Sequence, residues 1–170
     1  MKYAARAGRF LFRWRGAIGF LAFVVVYIFG HPAIKSVCAG LPFLFAGLIL
    51  RFWAMGYIGE RARTRAIQVY EVVNSGPYRI FPHPIYAGNF LLVLAFLVCL
   101  NPDIKLALGV GLGFVIEYGL IAYAETQALR ESGLKPKSVK FDRQRALSDL
   151  PTWGVSGLAY LLCLARLFWF

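Results

Sequence analysis

The chain has 170 residues, of which 59% are hydrophobic and 16% aromatic, and its formal net charge is +11. A mean hydropathy of +0.62 lies far above that of soluble domains and points to one integral-membrane domain, residues 1–170. The basic excess then belongs with anionic lipid rather than nucleic acid, provided that its distribution follows the apolar segments.

The N-terminal tail carries Lys2, Arg6, Arg9 and Arg13, spaced to share one helical face beside Phe10, Leu11, Phe12 and Trp14. This predicts a basic interfacial segment over 1–15. Five apolar segments follow, at about 16–30, 33–57, 85–100, 104–124 and 152–170. A crossing needs about 20 apolar residues, with a range of about 17–25, so the first and third borrow from their flanks. The first begins like a signal peptide, but no A-x-A site follows it and it is expected to be retained. The expected architecture is an all-α polytopic transmembrane bundle of about five spans. Fifteen of the nineteen Lys and Arg fall in the tail and in the loops 58–84 and 126–149, Arg61, Arg63 and Arg65 among them, whereas the opposite loops hold only Lys35 and Lys105. That asymmetry predicts a cytosolic N-terminus and two cytosolic long loops. Asn101-Pro102-Asp103 reads as the turn of a tight hairpin. Cys38, Cys99 and Cys163 lie in apolar stretches without a CxxC pair and read as packing residues.

The first chemically suggestive stretch is GPYRIFPHPIYAG, Gly76 to Gly88. Asn74 to Pro77 reads as a turn, and Pro82 and Pro84 push Phe81 and His83 towards extended geometry. Pro84 suits the first position of a helix. The stretch is expected to arrive extended, leaving backbone N–H groups and His83 exposed at the membrane surface. Tyr86 follows one turn on, and Gly88 allows close approach of a backbone or ligand. The second feature is acidic: Glu117 lies within the fourth span and Glu125 at its cytosolic end. An ionisable residue inside a span is costly and is expected to face the bundle interior.

His83, Pro84, Tyr86 and Gly88, followed by an apolar hairpin, Glu125, Leu129, Arg145 and Pro151, resemble the isoprenylcysteine carboxyl methyltransferase and phospholipid methyltransferase superfamily. The resemblance covers about 76–151, the expected cofactor-binding core. Pro82 stands where that superfamily has arginine, Thr126 where it has a second glutamate, and Phe141 and Asp142 near its tyrosine. The resemblance implies an integral-membrane enzyme of the plasma, inner or endoplasmic reticulum membrane. It would use S-adenosylmethionine at the cytosolic face to methylate a lipophilic or lipidated acceptor, a prenylcysteine-like carboxylate or a lipid amine. Tyr78, Arg79, His83, Pro84, Tyr86, Gly88 and Glu125 are the expected cofactor residues, with Tyr86 and Phe90 as the wall for the adenine. Arg145 and Glu125 are the expected catalytic residues, and Arg143 joins Arg145 as a candidate for holding an anionic substrate group. Transfer from a sulfonium demands positioning above all, so no metal or nucleophile is expected. A membrane reductase using NADPH and a non-catalytic membrane subunit are the alternatives that the same layout allows.

Overall fold

The computed structural model describes residues 2–59, 64, 66–67 and 71–168; Arg61, Arg63 and Arg65 lie outside them. The helices are α1 (Lys2–Phe29), α2 (Ile34–Ile58), α3 (Pro84–Leu100), α4 (Ile104–Glu131), α5 (Arg143–Leu147) and α6 (Leu150–Ala165). Among the described residues the fold is all-α except for a short parallel pairing of β1 (Val72–Val73) with β2 (Pro136–Lys137). Among the described residues, four stretches are long and apolar enough to cross a membrane: Tyr3–Phe29, Ile34–Ile58, Ile104–Glu131 and Arg143–Phe168. α3 is shorter, with 17 residues, at the lower limit of about 17 for a crossing. Four candidate spans and one short apolar helix therefore stand where five spans were expected.

The first departure from expectation is α1. Residues 2–15, expected as a segment lying on the membrane surface, form the first half of one continuous helix. Ala5, Gly8 and Phe12 are buried at helical spacing and give this half an apolar face. A Cβ on Gly8 would lie 2.8 Å from the Ala124 side chain, so α1 and α4 meet backbone to backbone there. Arg6, Arg9 and Arg13 remain exposed on the adjacent face. At about 1.5 Å per residue both helices reach about 42 Å, longer than a hydrocarbon core of about 30 Å.

α2 and α3 pack along their length, whereas α1 runs along α4 and scarcely touches α2. The α3–α4 hairpin forms as the Asn-Pro-Asp turn predicts: Asn101 takes the left-handed conformation with φ 46°, and Asp103 caps α4 by accepting from the Lys105 N–H at 2.7 Å. Leu44, Leu48, Leu92, Ala95, Cys99, Tyr160 and Cys163 form the main apolar cluster. Cys99 and Cys163 are the packing residues expected, but Cys38 is exposed. At the other end of the bundle β1 and β2 tie the two long loops together, reinforced by a hydrogen bond from the Val139 N–H to Ser75 Oγ at 2.8 Å. Both basic loops therefore lie at the same end.

Candidate functional site

The stretch before α3 is more helical than its prolines imply. Gly76–Arg79 forms a 3-10 turn, because Pro77 at its first positions has the φ a helix start requires. The N–H groups of Tyr78, Ile80 and Phe81 are consumed by Ser75 O and Pro77 O. The expected row of exposed backbone donors is thus largely absent. The break falls at Phe81 to His83, and α3 starts at Pro84 with His83 as its N-cap residue.

This break aims His83 at α4. Its Nδ1 lies 3.2 Å from Glu125 Oε2, and its Nε2 lies 3.2 Å from Thr126 Oγ1. A neutral ring satisfies both contacts, with Nδ1–H donating to the carboxylate and Nε2 accepting from the hydroxyl. Thr126, which stands in place of a second glutamate, thus fixes the ring. Tyr86 stacks on His83 with centroids 5.3 Å apart, and Tyr118 meets Tyr86 edge-on at 5.0 Å.

These groups form one side of a cavity of 430 Å³. Tyr78, His83, Pro84, Tyr86 and Glu125 line it together with Arg51, Asn89 and Tyr118. The remaining expected residues lie elsewhere. Arg79 is exposed and outside the lining. Phe90 is turned to Phe114, with centroids 5.7 Å apart, and Tyr118 is the second ring at the cavity. Arg145 donates to Tyr57 O at 3.1 Å and pairs loosely with Asp142 at 3.8 Å. Its guanidinium serves the C-terminal end of α2, where carbonyls lack helical partners, and is not part of the lining. Arg143 is exposed and also outside it.

Gly88 serves the cavity indirectly. A Cβ there would lie 2.5 Å from Arg51 Cγ and 3.1 Å from Gly47 O, so the glycine makes room for α2 and the Arg51 stem. Gly88→Ala is expected to cost about 1–3 kcal/mol as overpacking and to displace Arg51; thermal unfolding of the purified variant checks this.

Arg51 itself escaped the sequence reading. It is a buried cation within α2, donating to Asn89 Oδ1, to Asp149 Oδ1 at 2.5 Å and to Thr152 Oγ1 at 3.1 Å. Asn89 continues the chain by donating to the Tyr118 hydroxyl at 3.0 Å. α2, α3, α4 and the start of α6 are thereby joined around the cavity by polar contacts. A charge inside an otherwise apolar span is the signal that marks such a residue. Glu117 carries the same signal and is buried as expected, on the face that α4 shares with Ile121 and Ala124; it does not line the cavity.

Two observations bear on what the cavity holds. The Tyr78 hydroxyl and Arg51 Nε are buried without a hydrogen-bond partner among the described residues, and orphaned polar atoms call for one. Burial, then the charge of Glu125, hold the Tyr78 phenol above its ordinary range, with Arg51 acting in the opposite direction. Tyr78 is therefore a proton-retaining donor within reach of both charges.

Membrane-length apolar helices and a charged, aromatic cavity at one end of the bundle are the features of a helical membrane protein. The isoprenylcysteine carboxyl methyltransferase (ICMT) family model matches residues 39–118 of the chain. The matched stretch contains Arg51, Tyr78, His83, Tyr86 and Asn89, whereas Glu125, Asp149 and Thr152 follow it. No curated protein and no solved structure matches the chain significantly. The family suggests a membrane methyltransferase dependent on S-adenosylmethionine.

Proposed function

We propose that the protein transfers a methyl group from S-adenosylmethionine to a lipophilic acceptor at the cytosolic face of its membrane. The observation that carries this reading is the His83–Glu125 pair set against Tyr86 and Arg51 in one cavity. The volume of 430 Å³ falls within the range of about 300–1,000 Å³ usual for small-molecule sites. The residues also fit the cofactor's three recognition groups. Glu125, oriented by His83, accepts from its ammonium; the Tyr78 hydroxyl donates to its carboxylate; Tyr86 offers a flat wall to its adenine.

S-adenosylmethionine supplies a methyl carbon already activated by sulfonium. The chain's own residues then have to orient the acceptor and exclude water. Arg51, with an N–H still unpartnered, suits an anionic acceptor group and favours a carboxylate over a lipid amine. The cavity is walled by Arg15 and Gly16 of α1 and by Met55 and Ile58 of α2, two helices that scarcely meet. This gap is the route by which a lipid tail reaches the site from the bilayer. The excess of Lys and Arg at the cavity's end of the bundle supports a cytosolic orientation.

The test is transfer of labelled methyl by the detergent-purified protein to N-acetyl-S-farnesylcysteine, with phosphatidylethanolamine as the alternative acceptor. Label is expected on the first. Label on the amine alone removes the role given to Arg51, and label on neither refutes the enzyme reading for these acceptors. Tyr78→Phe is expected to leave folding intact, since it removes an unsatisfied hydroxyl, while weakening cofactor binding by about tenfold.

A further inference from the structure

Arg51 and Glu125 are opposite charges lining one cavity, Arg51 on α2 and Glu125 on α4. An arginine side chain released from the α2 wall would have this carboxylate as the acidic group of the lining to turn to, and that exchange would close the space. Each charge is held instead from behind. His83 engages Glu125 from the start of α3. Asp149, at the N-cap of α6, engages Arg51.

The Asp149 contact has the marks of an anchor. The residue is 0% exposed. Its Oδ1 accepts from Arg51 Nη2 at 2.5 Å and from Thr152 Oγ1 at 2.9 Å, while Thr152 Oγ1 itself accepts from Arg51 Nη2 at 3.1 Å. Its backbone is fixed as well, since the N–H donates to Ala146 O at 3.0 Å and the carbonyl accepts from Thr152 N–H at 2.9 Å. α5 beneath it packs on the C-terminal end of α2, so the carboxylate cannot move away from Arg51 without shifting that packing. A buried ion pair adds little net stability compared with an apolar pair, but it fixes geometry, and an unpaired buried charge is strongly unfavourable. Once Asp149 is lost, Arg51 must find another anion. Within the cavity lining that anion is Glu125.

We propose that Asp149 is a positioning residue: it holds Arg51 on the α2 wall and so leaves Glu125 to His83 and the cavity open. α6 is thereby part of the site, although Asp149 touches neither cofactor nor acceptor. The consequence for cofactor binding rests on the methyltransferase reading, whereas the consequence for charge pairing does not.

Two measurements on the full chain in detergent separate these. The first is a thermal-unfolding cycle of Glu125→Gln with Asp149→Asn. With Asp149 present, Glu125→Gln is expected to shift Tm little; with Asp149→Asn it is expected to lower Tm by several degrees, because Glu125 has become the partner of Arg51. Additive shifts would overturn the proposal. If Asp149→Asn alone does not fold, Arg51→Met in the same chain is expected to restore folding, and failure to restore it is equally fatal. The second is calorimetry with S-adenosylmethionine. Asp149→Asn is expected to weaken binding about tenfold, and Arg51→Met/Asp149→Asn to recover it. A purely structural Asp149 gives no recovery. Absence of binding by the unaltered protein refutes the cofactor reading and leaves the unfolding cycle to decide the role of Asp149.

Discussion

Arg51→Ala is expected to be among the most destabilising single substitutions in the chain, at about 3–5 kcal/mol. The guanidinium is the ionic partner of Asp149, a carboxylate with no exposure, and it also engages Asn89 and Thr152. Its removal leaves a buried anion with only the Thr152 hydroxyl on Oδ1 and nothing on Oδ2. Asn89 Oδ1 loses its donor in the same step. Pairing the change with Asp149→Leu removes the orphaned charge and is expected to recover most of the loss, since an apolar pair replaces an ionic pair at little cost. Thermal unfolding of the single and double variants checks this. A single variant as stable as the parent would show that the ion pair is not maintained in the membrane protein.

The largest effect on binding is expected from Glu125→Gln. The substitution keeps the size of the side chain and removes its charge, so it leaves the fold intact. The loss of a charge-assisted contact to an ammonium is worth about 1.5–3 kcal/mol, which is about 10- to 100-fold in affinity for S-adenosylmethionine. His83→Ala acts through the same carboxylate, by releasing Oε2 from the ring that orients it. Its effect is expected in the same direction and smaller. Equal affinities in all three proteins would move the cofactor away from this cavity.

His83 and Glu125 could be paired from the sequence because the hairpin is simple. One residue precedes α3 and the other lies late in α4, at similar distances from the turn at Asn101-Pro102-Asp103, so antiparallel packing brings them to one level. Tyr86 followed from helical spacing. Arg51 and Asp149 were not legible in this way, for they are 98 residues apart and no local pattern links them. The contacts of Arg145 were not legible for a related reason: a basic residue in a positive loop gives no sign of which carbonyl it will serve. The path of residues 2–15 depended on Ala5 and Gly8, whose small side chains matter only once α4 lies against them. The prolines of the 76–84 stretch were ambiguous in themselves, since Pro77 can open a helical turn as readily as Pro82 and Pro84 can exclude one.

The proposed function requires that the cavity hold S-adenosylmethionine. Calorimetry of the purified protein with S-adenosylmethionine and, separately, with NADPH tests it most directly. Saturable binding of the first and none of the second is the expected result. Binding of NADPH without S-adenosylmethionine would contradict the account and point to a reductase; binding of neither would leave a cavity without the cofactor on which the proposed function depends.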